Sequence, residues 1–207
     1  MGRTDDHSHS PLATTDRRYA TGLARREAVW WKRWLDVQAP YRWNLRRLDP
    51  GFTLDIGCGV GRNLAHLAGH GVGVDHNPHA VEIARGRGFQ AVTTDEFPAS
   101  PFNTTARFDS LLLSHVVEHM TERAAIDLLA TYLHTLKPGG KVILITPQEL
   151  GYRADPTHVQ FMDMAALNRI ACASSLELVK AFSFPLPRAF GGIFKYNEFV
   201  LVSRKPR

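Results

Sequence analysis

Three glycines alternate with single residues in Thr53-Leu54-Asp55-Ile56-Gly57-Cys58-Gly59-Val60-Gly61-Arg62-Asn63-Leu64, where a short apolar run gives way to a helical pattern. Glycine there permits positive φ and lets a ligand come close to the backbone. A dinucleotide loop reads G-x-G-x-x-G, whereas this one reads G-x-G-x-G with an acid, Asp55, just ahead of it. A carboxylate at that point repels a pyrophosphate and suits a ligand carrying an ammonium and a sulfonium. No Gly-Lys-Ser/Thr follows, so a Walker phosphate loop is excluded. Asp75 stands 20 residues further on, at the end of a second apolar run, where a carboxylate can accept both hydroxyls of a ribose; a helix-capping role is the alternative. Thr94-Asp95-Glu96 follows a third run and offers an acid or an amide to a purine edge, or is a solvated loop. Two histidines complete the set of reactive types: His119 in Ser114-His115-Val116-Val117-Glu118-His119, and His158 in Asp155-Pro156-Thr157-His158. A histidine ordinarily titrates near 6.5 and can help an acceptor hydroxyl lose its proton at neutral pH.

These residues fall at the ends of short apolar runs that alternate with helical stretches, the pattern of a parallel sheet covered by helices. Strands are expected at Thr53–Ile56, Gly71–Val74, Ala91–Thr93, Ser110–Ser114 and Lys141–Thr146, with two final runs around Leu176–Phe184 and Phe199–Arg204. Helices are expected at about Arg62–Ala68, Pro78–Arg85, Glu122–Leu136 and Met164–Ala173. Pro78 after Asn77 reads as a capped first turn, and Pro138-Gly139-Gly140 as the stop of its helix. A polar loop follows Thr146. Upstream, residues 1–16 read as a disordered tail and 17–49 as a helical extension broken near Pro40. All four tryptophans lie in that extension. They can be core packing, a lid over a small pocket or a stacking platform for nucleic acid.

Asp55–Gly61, Asp75, Asp95, the segment Phe108–His119 and Leu136-Lys137-Pro138-Gly139-Gly140 together resemble, in order, the successive motifs of class I S-adenosylmethionine-dependent methyltransferases. The resemblance covers roughly residues 50–204, within a domain expected at 50–207, and implies an α/β, Rossmann-like, seven-stranded, mostly parallel sheet whose last strand is antiparallel. It implies that Gly57, Cys58, Gly59 and Gly61 cradle the methionine part of S-adenosylmethionine and that Asp55 meets its ammonium directly or through water. Asp75 would hold the ribose, Asp95 and Glu96 would flank the adenine, and His76 and Ser114 complete the cofactor set; S-adenosylhomocysteine would be the product. The stretch through Glu118-His119 is similar to the small-molecule enzymes of this class, including the ubiquinone-biosynthesis O-methyltransferases. His119 and His158 are then the catalytic candidates, each with a structural role as the alternative. Tyr152, Arg153 and Trp34 are candidates for the substrate mouth. Glu118 with His119 could contribute to a divalent metal site, but further ligands are not evident, and no metal is expected.

Composition narrows the partners. The chain has 207 residues, 44% of them hydrophobic, enough for one domain with a sizeable core. No run reaches the length of a membrane span and the N-terminus has no apolar h-region, so a soluble cytoplasmic protein is expected. Two cysteines exclude a disulfide framework. The net charge of +5 hints at nucleic acid. Residues 1–50 carry ten of the basic residues against six acidic ones, and the last four residues carry three more, leaving the body 12 basic against 14 acidic. The body also lacks the Asn/Asp-Pro-Pro-Tyr/Phe motif of base aminomethyltransferases. A small-molecule acceptor methylated at oxygen is therefore expected, nucleic acid and membrane are not, and the enzyme would be a monomer or homodimer. An RNA or protein substrate drawn in by 30–47, and a cofactor-binding regulator without catalysis, are the alternatives. The aromatic, Gly/Pro-rich segment 184–197 can be a pocket wall, a dimer contact or a covering loop.

Overall fold

The computed structural model describes residues 37–207. The expected tail 1–16, most of the expected extension, and Trp34 lie outside the described residues. Helix α1 (Ala39–Arg47) comes first, followed by β1 (Thr53–Ile56), α2 (Arg62–His66), β2 (Gly71–Asp75), α3 (Pro78–Gly86), β3 (Ala91–Thr93) and β4 (Phe108–Ser114). Then come α4 (Glu122–Tyr132), β5 (Leu136–Pro147), α5 (Glu149–Arg153), α6 (Met164–Ala173), β6 (Glu177–Phe184) and β7 (Glu198–Arg204). The strands form one sheet in the order β3-β2-β1-β4-β5-β7-β6. All pairs from β3 to β5 are parallel, and β7 runs antiparallel between β5 and β6. This is the seven-stranded Rossmann-like architecture the motifs imply.

Period-2 alternation assigns each central strand to both layers. Leu111, Leu113, Val142, Leu144, Phe199 and Leu201 face one side, in a core completed by residues of α4 and α6 such as Ala125, Leu129, Leu167 and Ile170. Their neighbours Leu112, Ile143, Ile145, Val200 and Val202 face the other side, against Leu45 and Leu48 of the α1 segment. Helix starts follow local capping: the Asn77 side chain accepts from His79 and Ala80 N–H, Thr121 from Ala124, and Asp163 from Ala166.

Three local expectations shift. Helix α1 begins at Ala39, because Pro40 sits in the first turn, where no N–H donor is needed. Helix α4 stops at Tyr132 and tightens into a 3₁₀ turn, Leu133–Thr135. Leu136, completely buried, is thereby delivered into the sheet opposite Phe108, and Pro138-Gly139-Gly140 fall in the bulge before the register resumes at Lys141 opposite Ser110. The loop expected after Thr146 contains the short helix α5. The sheet reverses its winding at β1, which lies between β2 and β4, and the crevice beyond the strand ends there is where ligands bind in open α/β sheets.

Candidate active site

The turn from β1 into α2 is shaped by its glycines. Gly57 has φ +76°, and a Cβ on it would come within 2.4 Å of Val116 Cγ2. Gly61 caps α2 in the left-handed region at φ +86°. The loop is tied to β2 by Gly57 N–H and Cys58 N–H, which both donate to the Val74 carbonyl (2.8 and 3.1 Å), and by Gly59 N–H, which donates to Asp75 Oδ2 (2.7 Å). Asp75 Oδ1 accepts from Asn77 N–H (2.8 Å). A cavity of about 500 Å³ opens beside them, walled by Gly57, Gly59, Asp75, His76, Thr94, His119 and Tyr132 among others. A glycine cradle, a carboxylate clamped at the end of β2 and a pocket of ligand size fit an adenosyl-amino-acid cofactor.

The other expected cofactor residues are placed differently. Asp55 is fully buried beneath the loop and lines neither this cavity nor the one described next. Its Oδ1 accepts from Asn63 Nδ2 at 3.3 Å and its Oδ2 has no hydrogen-bond partner. Burial pushes its carboxyl up to about 7, against the pull of Asn63 and Arg62. Cys58 turns its side chain into the packing of Leu64, Val81 and Ala84, and burial raises its thiol far above the usual range. Asp95 and Glu96 are exposed and off the cavity wall, which Thr94 supplies instead. Glu96 accepts from Thr93 N–H (2.8 Å) and Arg85 (2.6 Å), which together hold its carboxyl low. Ser114 lines the second cavity rather than the first.

That second cavity, about 250 Å³, lies between α1 (Tyr41, Asn44) and the loop before β7 (Lys195, Tyr196, Asn197), so part of the segment 184–197 is a pocket wall. Tyr41 donates to the Tyr196 carbonyl (2.8 Å), and buried Asn197 donates to Gln148 (2.9 Å). Burial, with Glu198 nearby, raises the Tyr41 phenol well above its ordinary value, so it stays protonated. The two cavities share His115, Asp155 and His158. His115 has φ +59°, an uncommon backbone for a side chain that histidine tolerates better than most. Its Nε2 is 2.8 Å from Glu198 Oε1 and its Nδ1 3.3 Å from Glu118 Oε1. Burial alone would lower its titration, but the two carboxylates prevail and push it up to about 9. Sequence reasoning gave His115 no role, since its partner Glu198 is 83 residues away.

Both expected histidines reach this junction. His119 and His158 border the first cavity, with ring centroids 4.8 Å apart, and His158 borders the second as well. Tyr152 stacks on His158 at 5.2 Å and its carbonyl lies 2.6 Å from His158 Nδ1, so Tyr152 orients the imidazole rather than lining either cavity. Arg153 is exposed and also off both walls. Asp155 accepts from Thr157 N–H and Oγ1–H (3.0 and 2.7 Å), bonds that outweigh its partial burial and hold its carboxyl low.

Residues 25–181 match a family model described as a methyltransferase domain. The chain belongs to this family, and its fold is that of the S-adenosylmethionine-dependent class I enzymes. It is similar to the human protein named probable tRNA methyltransferase 9B, with 34% identity over 103 residues, 48% of this chain and 22% of that protein. The match thus spans about a fifth of that relative's length. Among solved structures it is similar to a SAM dependent methyltransferase from Archaeoglobus fulgidus (TM-score 0.63, 21% identity, 80% of this chain and 93% of that one). It is also similar to magnesium protoporphyrin IX methyltransferase from Synechocystis with bound SAH (TM-score 0.60, 15% identity, 89% and 94%). No helix among the described residues is long and apolar enough to cross a membrane.

Proposed function

We propose that the protein transfers the methyl group of S-adenosylmethionine to an oxygen of a small molecule held in the 250 Å³ cavity. The observation that carries this reading is the shared wall: the cofactor-sized cavity and the smaller one meet at His115, Asp155 and His158. Methyl transfer from a sulfonium is an in-line displacement, so its main demand is an acceptor atom held about 3 Å from the methyl in a site shielded from water. The sulfonium supplies the methyl as an electrophile. The chain's own part is alignment: Asp75 and the glycine loop fix the donor, while Tyr41, Asn44, Lys195 and Glu198 surround the acceptor. Oxygen is favoured as the acceptor atom because two imidazoles face the junction and can receive or screen the proton that a hydroxyl must lose.

A second reading, methylation of RNA, is favoured by the name of the human relative and by the basic outer side of α1 with its exposed Trp43. Two of those arginines are already engaged: Arg46 donates to the His66 carbonyl (2.6 Å), and Arg47 stacks 4.5 Å over Trp43 and 5.0 Å over Phe182. That commitment leaves fewer cations for phosphates and keeps the small acceptor in front. The test is transfer of labelled methyl from the cofactor to a metabolite pool and, in parallel, to total tRNA. Label in a low-mass oxygen ether or ester is the expected result. Label confined to tRNA would replace the first reading by the second.

A further inference from the structure

We propose that Glu118, His119 and His158 form a site for a divalent transition-metal ion of the zinc type at the junction of the two cavities. Each of the three offers a ligand atom, and these atoms lie within 4.8 Å of one another. Glu118 follows β4 in a 3₁₀ turn, Val117–His119, and is completely buried, yet neither of its carboxylate oxygens has a hydrogen-bond partner. A buried, unpartnered carboxylate is costly unless a cation compensates it. The nearest is His115, whose Nδ1 stands 3.3 Å from Oε1 without hydrogen-bond alignment, and whose other nitrogen is held by Glu198.

The two histidines are oriented as ligands are. His158 Nδ1 lies 2.6 Å from the Tyr152 carbonyl, and His119 Nδ1 lies 3.2 Å from both the carbonyl and the hydroxyl of Thr157. A carbonyl only accepts, so Nδ1 carries the proton in each ring and Nε2 presents its lone pair. This carbonyl-fixed tautomer is the arrangement that metal-binding histidines use. The segments are also clamped together: Val159 and Gln160 N–H both donate to the Glu118 carbonyl, at 2.8 and 3.2 Å. The site is therefore built by two pieces of backbone that hold each other.

Two imidazoles and one carboxylate favour Zn²⁺ and its transition-metal neighbours over Mg²⁺ or Ca²⁺, and three protein ligands leave a coordination position open. Bonds of about 2.0–2.1 Å in a tetrahedron would bring the ligand atoms to roughly 3.4 Å apart, a contraction of at most about 1.4 Å. Because His158 borders both cavities, an ion held there would lie beside the proposed acceptor cavity. On the methyl-transfer reading above, on which this role rests, the ion would bind the acceptor oxygen and favour loss of its proton to water, with His119 and His158 acting as ligands in place of receiving that proton themselves.

The test uses the full chain, stripped with a chelator and titrated with Zn²⁺ by calorimetry and by equilibrium dialysis with metal analysis, without acceptor. One Zn²⁺ per chain is expected, with Glu118→Gln and His158→Ala each weakening binding by about 100-fold or more while millimolar Mg²⁺ fails to compete. Circular dichroism and S-adenosylhomocysteine binding verify that each variant is folded, and His158→Ala serves if the buried Glu118→Gln does not fold. Stoichiometric Zn²⁺ retained in a folded variant, or only substoichiometric uptake by the wild type, would overturn the site. Preference for Mg²⁺ would overturn the ion class. Zn²⁺ binding is read without turnover. Failure of the site beside intact methyl transfer therefore sinks this inference alone, whereas a loaded site with no methylated product sinks the reading of function.

Discussion

Asp55 offers a prediction whose sign and size follow from its place under the glycine loop. Its carboxyl titrates near 7 in the folded chain because it is buried, against 3.8 when unfolded. Between those values the folded state binds more protons than the unfolded one. This group's contribution is therefore most favourable at or below pH 3.8, declines as pH rises, and levels off above pH 7. Raising the carboxyl from 3.8 to about 7 corresponds to about 4 kcal/mol. Asp55→Asn removes the titration and preserves the shape. The Oδ1 that accepts from Asn63 is retained, and the new amide occupies the place of an oxygen that had no partner, so any local mismatch is the same at every pH. Urea unfolding of both proteins from pH 4 to pH 8 isolates the effect. The stability difference, variant minus wild type, should rise by about 4 kcal/mol across that range, all other titrations cancelling. A difference that changes by less than about 1 kcal/mol would refute the claim that an uncompensated carboxylate lies beneath the loop.

Asp75→Ala should weaken S-adenosylhomocysteine binding by about 1–3 kcal/mol in calorimetry, through loss of a charge-assisted ribose contact and release of Gly59; unchanged affinity would remove Asp75 from the ribose. His158→Ala should lower turnover by about 10²–10⁴-fold with a far smaller change in S-adenosylhomocysteine affinity, since the imidazole stands on the wall that the two cavities share. Equal turnover would make it structural. Leu112→Ala, at a completely buried position facing α1, should cost about 2–5 kcal/mol in urea unfolding.

The order of elements, the glycine turn and the place of Asp75 were legible because each is a local pattern: apolar runs, a turn composition, an acid at a strand end. What was not legible depends on pairing across the chain. Glu96 is drawn off the cavity by Arg85, 11 residues earlier, and no periodicity reveals that capture. Asp55 stands one residue short of the end of β1, whereas Asp75 is the last residue of β2, and the Asp55 side chain is fully buried against Asn63 of α2. The short helix α5, five residues in a polar stretch, has no amphipathic period to detect.

The junction is the clearest case of function assembled by register. Its wall comes from the end of β4, the loop after α5 and the first residue of β7, segments with no common motif. Antiparallel pairing places Glu198 opposite Pro147 and Val200 opposite Ile145, so Glu198, Val200 and Val202 share a face. Val200 and Val202 are in the core that α1 covers, and Glu198 continues that face beyond the core edge, where the second cavity opens. A slip of one residue would turn Phe199 toward His115 and bury Glu198 on the α4 and α6 side, exchanging the carboxylate of the junction for a phenyl ring. The alternation Glu198-Phe199-Val200-Leu201-Val202 is therefore a statement about the acceptor cavity as well as the core, but one that can be read only once β5 is known to be its partner.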